Sequence, residues 1–156
     1  MDIEHKLRQS EYFASLHPEQ VKALLGKATL CRFDSGEMIV RQSDADDWVF
    51  FILAGRTEVL VAQVGDEHSL EMIATIGAGE IVGERALLGL PRRSATVRAK
   101  DPIVALKWDA SELHELLIRE GAIGATVMTT LARKLSDRLV AANNNLRNAL
   151  AAQAML

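Results

Sequence analysis

The middle of the chain, from about residue 28 to 107, consists of short β-type segments divided by turn signals, with no long helical segment between them. Strands are predicted at residues 29–33, 37–41, 48–53, 56–64, 69–76, 93–99 and 103–107. Parallel strands need a long crossover, usually a helix, so this order argues against a βαβ fold. The predicted fold class is therefore mainly β, as an antiparallel sandwich or roll.

Helical periodicity appears on both sides of the β-region. Residues 1–27 carry apolar side chains at helix-like spacing, and Pro18 suits the first turn of a helix. The segment 109–156 is helical again. We therefore expect one domain over residues 1–156, with N-terminal helices, a β-roll over 28–107 and C-terminal helices.

The C-terminal part is predicted to contain two helices. Asp109 followed by Glu112 forms a capping-box pattern at the start of the first. Gly121 and Gly124 are predicted to break that helix, and a second helix is predicted from about 122 to 150.

Small and apolar residues form a regular seam along the second of these helices. They alternate three and four positions apart: Ala132, Leu135, Leu139, Ala142, Leu146 and Ala149. Such spacing suits a partner helix, which predicts a homodimer through the long helix. Packing of the same seam on the chain's own β-roll is the alternative, and both interpretations stay open at this point.

Composition limits the classes of function. A net charge of −3 and a pI of about 5.8 give no general attraction to nucleic acid or to an anionic membrane. The single cysteine, Cys31, excludes an internal disulfide and fits a reducing cytoplasm, where we expect the protein to reside. No apolar run approaches the ~18 residues of a membrane span, so we expect no membrane insertion by this chain.

Catalytic and metal-binding patterns are weak. The acidic group Asp44, Asp46 and Asp47 is typical of a turn and not of a metal site. The four histidines lie outside the stretch described next. We therefore expect no enzymatic activity and no metal cofactor.

The stretch GEIVGERALLGLPRRSATV, residues 79–97, has an unusual composition. Gly83 permits a tight turn and close approach of a bound group. A short helical turn starting at Glu84 would leave backbone N–H groups without partners, a geometry suited to phosphate. Arg93 adds a permanent charge with a planar fork of donors, and Ser94 adds a hydroxyl. The stretch predicts a phosphate site.

Glu84 needs a separate explanation, because a carboxylate beside a phosphate is repelled. An ionised carboxylate accepts hydrogen bonds and donates none, so its natural partner there is a hydroxyl. A phosphate next to a hydroxyl describes a sugar phosphate, and the stretch therefore predicts a cradle for a ribonucleotide. The competing interpretation is that Glu84 complements its own helix dipole and Arg93 pairs with a surface acid.

Two segments resemble the cyclic nucleotide-binding domain family, which includes regulatory subunits of cAMP-dependent protein kinase, cyclic-nucleotide-gated channels and the bacterial cAMP receptor protein. Gly83-Glu84-Arg85-Ala86-Leu87-Leu88 and Arg93-Ser94-Ala95-Thr96-Val97 resemble the family's phosphate-binding cassette. The runs 33–40 and 49–59 resemble a second family stretch. The resemblance covers nearly the whole chain and implies an antiparallel, jelly-roll-like β-roll with a long C-terminal lid helix.

The resemblance also implies which residues bind the ligand. These are Gly83, Glu84, Arg85, Ala86, Arg93, Ser94, Ala95, Thr96, Arg138 and Leu139. Glu84 would take the ribose 2′-hydroxyl and Arg93 the exocyclic phosphate oxygens. Ser94, Ala95 and the backbone of Gly83 and Ala86 would complete the phosphate cage. Arg138 and Leu139, on the lid helix, would lie near the base.

The implied function is a sensing module that binds a cyclic nucleotide and signals through its C-terminal helix. The family favours cAMP, while the hydroxyl of Ser94 suits the phosphate of cAMP and the guanine edge of cGMP equally. No further cofactor is implied, and the partner would be a second copy or an effector domain or protein. We expect no direct DNA binding, because too little sequence follows the long helix for a helix-turn-helix. The alternative is a ligand-independent interaction or dimerisation domain with the same fold.

Overall fold

The computed structural model describes residues 1–45, 47–90 and 93–156. Asp46 of the acidic group and residues 91–92 of the predicted cassette lie outside the described residues. Eight strands form within the described ranges: β1 (Thr29–Phe33), β2 (Met38–Val40), β3 (Trp48–Ala54), β4 (Thr57–Gln63), β5 (Asp66–Ile76), β6 (Ile81–Val82), β7 (Thr96–Ala99) and β8 (Ile103–Asp109). The mainly-β prediction is confirmed.

The strands form two four-stranded antiparallel sheets. The first has the order β1-β8-β3-β6 and the second β2-β7-β4-β5. In the first sheet Leu106 of β8 pairs with Leu30 on one side and with Phe51 on the other. Ile52 and Val97, one from each sheet, belong to the same buried cluster, so the sheets enclose an apolar layer. This arrangement confirms the predicted antiparallel roll.

The strands differ from the prediction in several places: β5 begins at Asp66 and not at residue 69, β8 ends at Asp109 and not at residue 107, β7 starts later, and β6 is an additional strand. β7 begins at Thr96 and not at residue 93, because the backbone of Arg93 bonds the loop at Ser43 and Asp44. β6 was not predicted, since two residues are too few to show alternation. It forms because Ile81 and Val82 pair with β3 in the folded chain.

Five helices lie within the described residues: α1 (Ile3–Arg8), α2 (Pro18–Gly26), α3 (Glu84–Leu87), α4 (Ala110–Arg119) and α5 (Gly121–Ala154). Pro18 starts α2 as predicted. The Asp109 carboxylate accepts from the amide of Glu112 at 3.1 Å, which confirms the predicted cap of α4. The N-terminal part consists of two short helices joined by a segment of turns.

A second apolar cluster joins the helices to the outer face of the first sheet. Phe13, from the turns between α1 and α2, packs edge-on against Phe51 of β3, with ring centroids 5.3 Å apart. The indole Nε1 of Trp108 in β8 donates to the carbonyl of Leu24 in α2 at 2.9 Å. These contacts fix the N-terminal helices against the roll.

The predicted break between the two C-terminal helices is confirmed at Glu120, directly before Gly121, whereas the part in this break predicted for Gly124 is wrong, because Gly124 lies inside α5. A Cβ at this position would collide with the carbonyl of Leu117 in α4. Glycine therefore permits α5 to cross α4 at close range. Gly121 is the first residue of α5.

Only the first part of α5 packs against the rest of the chain. Ile123, Val127 and Leu131 are buried, whereas every residue from 136 to 156 is exposed. Leu139 is 62% exposed. Packing of the seam on the chain's own roll is therefore wrong beyond Leu135, which is partly buried against the core.

The length and apolarity of the helices bear on membrane insertion. No helix formed by the described residues has both the length and the apolarity that a membrane span requires.

Candidate functional site

The predicted cassette folds as β6, a left-handed glycine and the single turn α3. Gly83 has a φ of +87°, a region that residues with a Cβ rarely occupy. A Cβ there would also collide with the guanidinium of Arg93 and crowd the carbonyl of Trp48. Position 83 therefore requires glycine both for its backbone conformation and for space.

Arg93 lies beneath this turn with its side chain directed inward. The residue is only 5% exposed. Its Nη1 donates to the Gly83 carbonyl at 3.2 Å, and its Nη2 donates to the Trp48 carbonyl. The structure thus brings the predicted cation to the predicted glycine, although part of the donor fork is used by backbone oxygens.

The carbonyl oxygen of Gly83 receives two donors. Besides Arg93 Nη1, the amide of Ala86 in α3 donates to it at 3.1 Å. Both groups were predicted from the family resemblance to face a phosphate. The Arg93 guanidinium and the Ala86 amide thus donate to the same atom, the carbonyl oxygen of Gly83.

Glu84 faces the long helix. Its Oε1 lies 3.5 Å from Arg138 Nη1 in α5, and Arg138 Nη2 lies 3.9 Å from Oε2 of Glu80. Strong charge-assisted hydrogen bonds measure about 2.7–2.9 Å. Arg138 is therefore shared loosely between two carboxylates. The structure brings together Glu84 and Arg138, which the resemblance placed at the ribose and at the base.

Glu80 and Lys134 belong to the same cluster and were not singled out from the sequence. Lys134 Nζ lies 2.8 Å from Glu80 Oε1 and 3.7 Å from Glu11 Oε2. Glu80 precedes Glu84 by four residues, and Lys134 precedes Arg138 by four. Lys134 and Arg138 share one face of α5, since residues four apart on a helix are neighbours. Glu80 precedes β6 and Glu84 begins α3, so no helical spacing in the sequence indicated that the two acids meet these cations.

An open cavity of about 330 Å³ lies beside this cluster. Its lining residues are Thr75, Ile76, Gly77, Glu80, Lys134, Asp137 and Arg138. Small-molecule sites typically occupy about 300–1,000 Å³. Of the predicted site residues only Arg138 lines this cavity, and the cassette residues do not, so the cavity lies beside the predicted phosphate site and does not include it. Leu139 is not among the lining residues and lies on the exposed part of α5.

The remaining predicted site residues lie in and after the cassette. Arg85 and Ala86 are half-buried in α3, Ser94 is exposed and Ala95 is half-buried. The hydroxyl of Thr96 accepts from the backbone amide of Gln42 at 2.9 Å, so it is engaged between strands. Ligand contacts by these residues stay predictions.

Metal-ligating side chains do not cluster in residues 1–45, 47–90 and 93–156: no group of three His, Cys, Asp or Glu residues there is placed to hold an ion. The members of the acidic turn that the structure describes, Asp44 and Asp47, are exposed. The site described above is thus built from a guanidinium, backbone groups and an ion-pair cluster.

Known proteins with similar sequences include a cGMP-dependent protein kinase and a regulatory subunit of a cAMP-dependent protein kinase. The cGMP-dependent protein kinase of Eimeria tenella is 31% identical over 109 residues, which cover 68% of this chain and 10% of that protein. The cAMP-dependent protein kinase type II regulatory subunit of Drosophila melanogaster is 36% identical over 86 residues, which cover 54% of this chain and 22% of that protein. The chain thus spans less than a quarter of either relative.

Solved structures share the fold. The catabolite activator protein of Thermus thermophilus superposes with a TM-score of 0.74 at 24% identity, covering 86% of this chain and 62% of that one. The regulatory domain of Toxoplasma gondii PKA, solved with cAMP, gives 0.64 at 20% identity, covering 73% and 42%. The family model for the cyclic nucleotide-binding domain matches residues 30–120, which is more than half of the sequence. The chain therefore belongs to the cyclic nucleotide-binding domain family.

Proposed function

We propose that this chain is a sensor that binds cAMP or cGMP between the cassette and α5 and signals through α5. The observation that carries the proposal is a convergence of residues. Arg93 binds the carbonyl of Gly83, and the adjacent Glu84 contacts Arg138 of the long helix. The role is regulatory and not enzymatic, and the single cysteine suits action in the cytoplasm.

In this proposal the phosphate competes for donors that now bind a backbone oxygen. Arg93 Nη1 and the Ala86 amide both donate to the Gly83 carbonyl. A cyclic phosphate offers them a charged acceptor, and hydrogen bonds to charged acceptors are roughly twice as strong as neutral ones. The ribose hydroxyl donates to Glu84, because an ionised carboxylate only accepts.

The signal follows from the loose contact between Glu84 and Arg138. When Glu84 binds the ribose hydroxyl, the balance of contacts that holds α5 at this position changes. The ligand shifts the helix population only as far as its affinities for the two helix positions differ. The similarity to a cGMP-dependent protein kinase and to a regulatory subunit of a cAMP-dependent protein kinase supports both nucleotides as ligands.

A titration tests the function. With purified protein, calorimetry is expected to show saturable binding of one cAMP or cGMP per chain and no binding of 5′-AMP. Ligand at 100 times its Kd stabilises the folded state by about 2.7 kcal/mol, which raises Tm by roughly 5–10 °C for a chain of this size. Absence of heat and of a Tm shift with both cyclic nucleotides at about 1 mM would contradict the sensor and favour a ligand-independent interaction domain.

The exposed part of α5 supports a homodimer as the assembly through which the sensor acts. Leu139, Ala142 and Leu146 continue the seam where the helix has left the roll. Packing of this seam against the same seam of a second copy gives the spacing of a two-stranded coiled coil. An effector domain or protein is the other candidate for this surface.

The Leu139→Glu variant is expected to convert a dimer into a monomer. The wild type should be dimeric by light scattering at roughly tens of micromolar. A charge in the centre of an apolar seam opposes association, and Leu139 is 62% exposed, so the fold of the protomer is unaffected. Val140→Glu is the matched control, because Val140 is 55% exposed but lies beside the seam. A monomeric wild type would exclude the homodimer.

A further inference from the structure

Lys134 of α5 is held by three groups outside its own helix. Its ammonium lies 2.8 Å from Oε1 of Glu80 and 3.7 Å from Oε2 of Glu11. It also lies 5.5 Å from the centroid of the Tyr12 ring, within the range of a cation–π contact. The Lys134 side chain is only 19% exposed, so salt and solvent screen these contacts less than those of a surface lysine. Lys134 is therefore a firmly held cation.

Arg138, one turn further along α5, is held more loosely. Its Nη1 lies 3.5 Å from Oε1 of Glu84, and its Nη2 lies 3.9 Å from Oε2 of Glu80. Both distances exceed the value of about 2.7–2.9 Å for strong charge-assisted hydrogen bonds. The Arg138 side chain is also 42% exposed. Its position between the two acids therefore depends on how strongly each acid attracts it.

Glu80 interacts with both cations, one at each carboxylate oxygen. Its Oε1 binds Lys134 closely, whereas its Oε2 lies farther from Arg138. A carboxylate whose charge is offset by a close ammonium attracts a second cation less than a bare carboxylate does, because Coulomb attraction follows the net charge. Lys134 thus weakens the attraction of Glu80 for Arg138. Arg138 is thereby left available to Glu84.

We propose that Lys134 is a positioning residue: by occupying Glu80 it keeps Arg138 on Glu84, and so it sets how strongly Glu84 binds the ribose 2′-hydroxyl. The inference rests on the proposed cyclic nucleotide function and deepens it. A guanidinium beside Glu84 offsets part of the negative charge that strengthens its hydrogen bond with a hydroxyl. Recognition of the sugar therefore depends on a lysine whose own partners are Glu80 and Glu11.

The deoxy penalty, which is the ratio of the Kd of the 2′-deoxy analogue to that of the cyclic nucleotide, isolates this effect. Changes in phosphate binding or in the docking of α5 act on both ligands and cancel in the ratio. In Lys134→Met the penalty is expected to rise about two- to fivefold, because the bare Glu80 draws Arg138 from Glu84; the range is that of a partly exposed ion pair. Methionine retains the apolar stem that packs beside the Tyr12 ring.

Glu80→Gln breaks the same ion pair from its other side and should have the opposite effect. Arg138 then keeps Glu84 as its acid, so the deoxy penalty should fall about two- to fivefold. The double variant Glu80→Gln with Lys134→Met should resemble Glu80→Gln alone, because Lys134 acts through Glu80. Arg133→Met removes an exposed cation from the same helix and should leave the penalty unchanged. Calorimetry with cAMP, cGMP and their 2′-deoxy analogues measures all four variants.

A cycle of Tm measurements without nucleotide tests the attraction between Glu80 and Arg138 directly. Arg138→Met is expected to lower Tm more in the Lys134→Met background than in the otherwise wild-type protein. The reason is that Arg138 becomes the cation that offsets the charge of Glu80 once Lys134 is removed.

Three results would overturn the inference. The first is a deoxy penalty that changes in the same direction in Lys134→Met and Glu80→Gln, as a purely structural role of their ion pair predicts. The second is an unchanged penalty in Lys134→Met, and the third is an effect of Arg138→Met on Tm that is equal or smaller without Lys134. All three leave the cyclic nucleotide function intact, because binding to the wild type is measured separately. A wild type that binds neither nucleotide would refute the proposed function and this inference together.

Discussion

Replacing Arg93 by alanine is expected to weaken binding of the cyclic nucleotide by about thirtyfold or more. Arg93 is the cation beneath the cassette turn, and its side chain is almost fully buried. Loss of one partner of a buried, charge-assisted pair costs on the order of 2–5 kcal/mol, and each 1.4 kcal/mol is a factor of ten in Kd. Calorimetry with cAMP and cGMP measures the effect.

Two further variants separate the charge of Arg93 from its structural contacts. Arg93 also holds the carbonyls of Gly83 and Trp48, so the Tm of the free variant must be measured beside its affinity. Arg93→Lys keeps the charge and loses the planar fork, and should bind with intermediate affinity. Arg98→Ala removes an arginine that pairs with Glu58 at 2.8 Å and should bind like the wild type. An Arg93→Ala variant that stays folded and binds within threefold of wild type would remove its phosphate role.

Replacing Glu84 by alanine is expected to weaken binding by roughly tenfold to a hundredfold, because a hydrogen bond to a charged group is worth about 1.5–3 kcal/mol. The loss should lie toward the lower end of this range. Removal of the carboxylate also removes a charge that repels the phosphate, and it frees Arg138 from its 3.5 Å contact.

A ligand lacking the 2′-hydroxyl isolates the contact with Glu84. The 2′-deoxy analogue should bind the wild type more weakly and lose little further affinity in Glu84→Ala, since hydroxyl and carboxylate form one interaction. In Arg93→Ala the deoxy penalty should persist, because Arg93 acts on another part of the ligand. The opposite pattern, with the penalty surviving the loss of Glu84 and vanishing with Arg93, would contradict both assigned roles.

Local features of the sequence determined the architecture and the content of the cassette. All described strands except β6 were predictable from alternation and turn residues, and the cap of α4 was predictable from Asp109 and Glu112, because these signals act over a few residues. The same holds for Gly83 and Glu84, whose turn depends on a positive φ that glycine supplies.

Tertiary structure alone decided which distant groups meet. Three features join segments that are far apart in the chain. These are the pairing of Glu84 with Arg138, the contact of Lys134 with Glu80 and Tyr12, and the inward direction of the Arg93 side chain. The position of α5 depends on its close crossing of α4 at Gly124, and a shift of one residue turns a helix face by about 100°. Periodicity shows that such a helix has an apolar seam, but it does not show that burial of this seam against the core ends at Leu135, because no local signal marks that point.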